Sequence, residues 1–214
     1  MRLDEGDFDA QDRLFQMVEL PATLASAVSK RRLHYRAGRY CALAALQALQ
    51  PGRLFTSPAR GVNGAPLWPE GVAGSLTHTD DFVSAAVALS SDAAAIGVDT
   101  ERIVTLAQAR DLARPVAWPS ELAEARAAGC DRAEAFTLVF SAKESVFKCL
   151  HPAVGQFFGF HDVRIVHVDA RARAFGARIV KSLSEAFPAD TMLEGRFEIG
   201  GSRVHTGVVV PSRA

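Results

Sequence analysis

The chain of 214 residues balances 24 Lys and Arg against 24 Asp and Glu, so no global field steers it toward nucleic acid or an anionic membrane and charge recognition must be local. Its 49% hydrophobic and 22% charged residues suit one large or two small globular domains, while three scattered cysteines in apolar surroundings, Cys41, Cys130 and Cys149, exclude a disulfide framework or a zinc site. The acidic opening MRLDEGDFDAQDRLF has no leader-like apolar stretch and no run of about 18 apolar residues occurs, so a cytoplasmic protein with no membrane span is expected.

In chain order, PATLASAVSKRRLHYRAGRYCALAALQALQ, residues 21–50, places Leu33, Tyr40, Leu43 and Leu46 at helical spacings before Pro51-Gly52. It reads as a helix with a break near Gly38. TSPARGVNGAPLWPEGVAG follows, a Gly- and Pro-dense loop long enough to bind something. FVSAAVAL and AAAIGVDTE, separated by Ser90-Ser91-Asp92, read as neighbouring antiparallel strands. A helical region is expected over 120–150, then strands around FHDVRIVHV, AFGARIV, GRFEI and RVHTGVVV, the last two joined by a Gly200-Gly201 hairpin turn. The class is α+β, with an N-terminal half over 1–97 and a C-terminal half over 98–214.

Four polar clusters stand out. In FSAKESVFK, Phe140, Glu144 and Lys148 lie four residues apart on one helix face, with Lys143 and Phe147 in the next row. Glu144 and Lys148 form either a solvated i,i+4 pair or part of a site. In GVDTERI an extended chain aims Asp99 and Glu101 to the same side; two such carboxylates either run out into solvent or share a hard cation, to which Glu144 would add a third oxygen donor. GSLTHTDDF offers Ser75, Thr77 and His78 as hydrogen-bonding groups for an anion. Arg32, Arg36 and Arg39 share a helix face, with Arg60 in the loop beyond; they form a solvated cationic face or forks for phosphate oxygens.

Taken together and in this order, RRLHYRAGR, RGVNGAPLWP, SLTHTD, GVDTE and FSAKESVFK resemble the motifs of phosphopantetheinyl transferases of the Sfp and enterobactin-synthase (EntD) type, over about residues 30–150. The family often has Trp at the head of the last motif, where Phe140 stands here. The resemblance implies a pseudo-two-fold pair of similar α+β halves with the active site in the cleft between them. It implies transfer of the phosphopantetheine arm of coenzyme A to a serine of an apo acyl, peptidyl or aryl carrier protein, releasing adenosine 3′,5′-bisphosphate, in siderophore, nonribosomal peptide, polyketide or fatty acid synthesis. Asp99, Glu101 and Glu144 would hold Mg²⁺, and Asp99, Glu144 and Lys148 would carry the catalysis. Arg32, Arg39, Arg60, Ser75, Thr77, His78, Lys143 and Lys148 would contact coenzyme A. The base for the serine stays open between Glu144 and a metal-bound water. A monomer is expected, docking its carrier on the side that follows Glu144, where Phe147, Cys149 and Leu150 stand; Phe147 at helical spacing suits the core better, and Phe157 and Phe158, flanked by Gly155 and Gly159, are the better candidates for an exposed contact. Two other classes remain: a catalytically silent carrier-binding module, and a nucleotide or RNA binder using the basic helix, for which the neutral charge is unfavourable.

Overall fold

The computed structural model describes residues 1–3, 11–12, 15–61 and 64–212. Most of the acidic N-terminal stretch, and Val62 and Asn63 of the Gly/Pro loop, therefore lie outside the described residues. The backbone groups into two compact units, residues 1–94 with 212–214, and residues 95–211.

In the first unit the helix α1 spans Ser29–Leu49 and packs on the antiparallel hairpin of β3 (Val72–His78) and β4 (Val83–Leu89). Leu33 and Ala37 of the helix meet Val83 of the hairpin and Leu3 and Phe15 from the N-terminal segment, all with little or no exposure. The expected break at Gly38 does not occur. That glycine lies buried against the hairpin, where an added Cβ would stand 3.8 Å from Val83. The helix also begins later than the apolar pattern suggests, since Pro21 leads only into a 3₁₀ turn over Ala22–Leu24. The Gly/Pro loop carries its own two-residue ladder, β1 (Ala59–Arg60) against β2 (Pro66–Leu67).

The second unit is a five-stranded sheet covered by helices. Its strands are β5 (Ala93–Arg102), β6 (Val163–Asp169), β7 (Ala174–Ile179), β8 (Met192–Gly200) and β9 (Arg203–Pro211), in the spatial order β5-β9-β8-β7-β6. The expected pairing of FVSAAVAL with AAAIGVDTE is thus corrected. β4 turns back on β3 through Thr79–Phe82, and β5 takes its partner from the far end of the chain. The Gly200-Gly201 turn joins β8 to β9 as expected, with Gly201 at φ 61°.

Between β5 and β6 run α2 (Leu106–Val116), α3 (Pro119–Ala127) and α4 (Arg132–Val154), where one helical region over 120–150 was expected. Gly129, at φ 103°, interrupts that region, and α4 restarts on a capping box in which Asp131 accepts from Ala133 and Glu134 amides while Glu134 accepts from the Asp131 amide. The sequence reading missed α2, whose capping box is Thr105 with Gln108. The core of this unit joins Phe136, Leu138, Val146 and Leu150 of α4 to Ile165, Phe175, Ile179, Val204 and Val208 of the sheet.

Candidate active site

Gly97 sets how closely α4 approaches β5. A Cβ built there would lie 1.8 Å from the Ser145 carbonyl oxygen and 2.5 Å from the Cys149 amide, so only glycine lets the helix backbone rest on the strand. This contact stands two residues from Asp99 and one from Glu144, and it brings the two acidic motifs together. Asp99 is 3% exposed. Its Oδ1 accepts from Lys148 Nζ at 2.6 Å and its Oδ2 from Ser141 Oγ at 2.8 Å. Thr206 on β9 lies 2.9 Å from that serine hydroxyl and donates to the Ser141 carbonyl. A buried carboxylate is thereby held by a charge-assisted bond and a hydroxyl chain from two neighbouring elements.

The remaining carboxylates feel this charge. Burial first, then Asp99 and Glu144, push Glu101 up to about 7, with Lys148 opposing. Glu144 is raised by burial and by Asp99, again against Lys148. Three acids and one ammonium therefore form one coupled electrostatic group. Among the described residues no set of three or more His, Cys, Asp or Glu side chains is arranged to hold a metal ion, and Lys148 is the cation that meets Asp99. Next to Asp99, Thr100 Oγ1 pairs with His205 Nδ1 at 2.9 Å. Burial, then Arg203, lowers the pKa of that imidazole.

Lys143 requires a correction. It was expected to contact coenzyme A, yet it is 2% exposed and its ammonium donates to Val116 O at 3.0 Å, Glu121 Oε2 at 2.8 Å and Phe160 O at 2.9 Å. Its three protons are all engaged, which leaves none for a phosphate. Burial lowers its pKa, and Glu121 opposes that shift. Glu121, fully buried, also accepts from the Trp118 and Ile165 amides. This knot fastens α2, α3, α4, β6 and the Phe160 turn to one another. Glu121 was missed although Trp118-Pro119-Ser120-Glu121 carries a helix-start pattern; Ser141 stands inside the FSAKESVFK motif but was given no role, and Thr206 and His205 had no comparable signal, because each matters through a partner distant in sequence.

In the first unit Arg39 is 5% exposed, lies over the Tyr35 ring at 4.8 Å, and leaves Nε and Nη2 buried with no hydrogen-bond partner. Burial lowers its pKa; Tyr35 counters this and nearby Arg60 adds to it. A cation held this way, beside a second guanidinium, suits an anion. Arg60 is exposed and rests against Gly64. Ser75 and Thr77 are buried on one side of β3, and His78 is exposed with its ring edge-on to His34 at 5.4 Å. Arg32, also expected at coenzyme A, is corrected. Its nitrogens go to Asp12, the Ala27 carbonyl and the Ser29 hydroxyl, while Arg36 also grips Asp12 at 2.8 Å. These bonds tie the start of α1 to the N-terminal segment. The expected Phe157-Phe158 surface is likewise divided, with Phe157 80% exposed and Phe158 6% exposed in the core. Phe157 joins Phe147, Phe160 and Glu144 around a small apolar cavity.

Comparison with known proteins adds two matches to family models. Residues 20–88 match the 4′-phosphopantetheinyl transferase N-terminal domain and residues 95–190 the 4′-phosphopantetheinyl transferase superfamily. The chain is 36% identical to the 4′-phosphopantetheinyl transferase Svp of Streptomyces mobaraensis over 92% of its own length and 79% of that protein. It is 35% identical to enterobactin synthase component D of Salmonella typhimurium over 79% of itself and 70% of the relative. To the 4′-phosphopantetheinyl transferase PptT of Mycobacterium tuberculosis it is 27% identical, covering 87% and 82%.

Proposed function

The chain belongs to the 4′-phosphopantetheinyl transferase superfamily and is an enzyme of that type, and on that premise we propose how its own residues carry out the transfer. Coenzyme A is the donor. The carrier serine oxygen attacks the β-phosphorus of the pyrophosphate, the bond from that phosphorus to the bridging oxygen breaks, adenosine 3′,5′-bisphosphate leaves, and the serine proton passes to a base. The observation that carries this reading is the coupled group of Asp99, Glu101, Glu144 and Lys148.

Asp99, Glu101 and Glu144 are oxygen donors of the kind a hard divalent cation takes, and the Asp99 charge raises the proton affinity of the other two, although the described side chains do not stand arranged as a ready-made metal-holding set. Mg²⁺, when bound, would be held by Asp99, Glu101 and Glu144 and would supply Lewis acidity at the pyrophosphate. Lys148 keeps part of its side chain exposed while bonded to Asp99, so its other N–H donors remain available to the charge that develops on phosphoryl oxygens. The raised affinity of Glu144 for protons suits it as acceptor of the serine proton, the alternative being a metal-bound water.

Residues 1–97 act as the coenzyme-gripping half, with the orphaned Arg39 nitrogens, Arg60 and His78 taking phosphates and Ser75 and Thr77 adding hydrogen bonds. Residues 98–214 are the catalytic half. The acceptors are apo acyl, peptidyl or aryl carrier proteins, and the pathway is a siderophore, nonribosomal peptide, polyketide or fatty acid one. We assign the protein to the cytoplasm as a monomer; no described helix is long and apolar enough to cross a membrane. Incubating candidate apo-carriers with coenzyme A and Mg²⁺ and measuring intact mass tests the reading. A gain of one phosphopantetheine is expected, and the absence of any gain across all carrier types would overturn it.

A further inference from the structure

A second cavity lies in the 95–211 unit among α2, α3 and α4, lined by none of the acids or basic groups assigned above. Its volume is about 290 Å³. Short side chains open it: Ala109 and Ala113 of α2 and Ala135 of α4 leave room that larger residues would fill, and Phe136 forms part of the apolar wall. Three helices each send an arginine to its edge, Arg110 from α2, Arg126 from α3 and Arg132 from α4. None of the three guanidinium groups makes a hydrogen bond or ion pair with a described residue, and no carboxylate lines the cavity. The nearest acids of the α4 start, Asp131 and Glu134, are committed to its capping box. In a chain whose charges otherwise cancel, three exposed cations with no described partner at the rim of an apolar recess make a local basic patch.

We propose that this cavity binds a small organic anion with an apolar body, a carboxylate bearing a medium alkyl chain or an aromatic ring, whose head pairs with Arg110, Arg126 and Arg132 and whose body fills the space over Ala113 and Phe136. Arginine forks match a carboxylate in two-point contact, and apolar walls with few polar groups are the usual lining of such sites. The volume stands at the small end of ligand cavities, which run from about 300 Å³ upward, so it suits a small molecule better than a protein segment.

The test is a titration of the full chain with sodium octanoate followed by amide NMR shifts, with acetate and octylamine as controls, on wild type, Arg126→Glu and Ala113→Leu. Octanoate should shift the Ala109, Ala113 and Ala135 amides saturably, while acetate, lacking the body, and octylamine, carrying the wrong charge, should not. Arg126→Glu should weaken octanoate by about tenfold or more and Ala113→Leu should do the same by filling the recess. Neither substitution touches the transfer machinery, so both variants should keep wild-type activity on coenzyme A and carrier, which also certifies their folding. Equal shifts with octylamine, shifts confined to other residues, or unchanged octanoate affinity in both variants would overturn the proposal. So would an absence of octanoate binding together with loss of apo-carrier affinity in Arg126→Glu, which would make the recess a protein-docking surface.

Discussion

Arg39, proposed as a coenzyme-gripping residue, differs from its neighbours on the helix in what its guanidinium meets. Arg32 and Arg36 stand four residues apart on the same helix, and their guanidinium groups are taken by Asp12 and backbone carbonyls. Arg39 is more buried than either yet keeps two nitrogens without partners. An unmade buried hydrogen bond costs about 1–3 kcal/mol, which the fold tolerates at sites where a ligand completes it. Arg39→Met should therefore keep or raise the melting temperature while raising the coenzyme A KM about tenfold or more with a much smaller change in kcat. Steady-state kinetics beside thermal melting checks this, and an unchanged KM would remove Arg39 from the coenzyme site. All three arginines read alike in the sequence, because helical spacing shows which residues share a face and not what lies opposite them.

Glu101 carries the pH dependence at the same scale. Its pKa rises from an ordinary 4.5 to about 7 on folding, so its protonated form is favoured in the native state. The stability it contributes is fully present below about 4.5, declines as pH rises, and is gone above about 7. In metal-free protein, melting temperature should fall over this window. Glu101→Gln should flatten part of that fall, and Mg²⁺ should reverse it for wild type alone. Melting curves from acid to neutral pH with and without Mg²⁺ measure this; identical wild-type and Glu101→Gln profiles would contradict the coupling of Glu101 to Asp99 and Glu144.

At the scale of elements, the β5 strand and the α4 helix carry the two acidic motifs, and Gly97 is where their backbones meet. The sequence displays both motifs because each is a local spacing, period two for Asp99 and Glu101 and period four for Glu144 and Lys148. Their juxtaposition is not local and had to come from the family resemblance. Gly97→Ala would drive a methyl into the Ser145 carbonyl, so a loss of several kcal/mol in stability with collapse of transfer is expected, as for other forced overpacking. Chemical denaturation together with a transfer assay checks it; a fully stable, fully active variant would show that α4 does not depend on this contact. Strand pairing was misread for a related reason. Composition marked β4 and β5 as strands, but partners depend on the sheet as a whole, and β5 pairs with β9 more than a hundred residues away.

Phe157 and Phe158 illustrate the same limit on a turn. Two adjacent aromatics between glycines cannot both face inward, yet the sequence does not say which one does. Phe158 enters the core beside Phe147, with ring centroids 4.9 Å apart, and Phe157 stays in solvent. Phe158→Ala should cost about 3–5 kcal/mol of stability. Phe157→Ala should leave stability within about 0.5 kcal/mol and weaken carrier binding without changing coenzyme A binding. Titration of the Phe157→Ala protein with each ligand separates these roles, and equal losses for both ligands would end the docking assignment.

For the whole molecule, the first compact unit carries Arg39, a buried guanidinium with two unpartnered nitrogens, and the second carries the coupled carboxylates. Neutral total charge, read at the outset, hides this separation, and only the local clusters reveal it. The central claim is that the Asp99, Glu101, Glu144 and Lys148 group drives the chemical step and does not merely hold the fold together. Single-turnover transfer of phosphopantetheine to an apo-carrier, followed by intact mass for wild type and Glu144→Gln at saturating coenzyme A and Mg²⁺, tests it most directly. Glu144→Gln should keep the wild-type melting temperature and coenzyme A affinity while the transfer rate falls by about a hundredfold or more. A Glu144→Gln protein that transfers at the wild-type rate would contradict it.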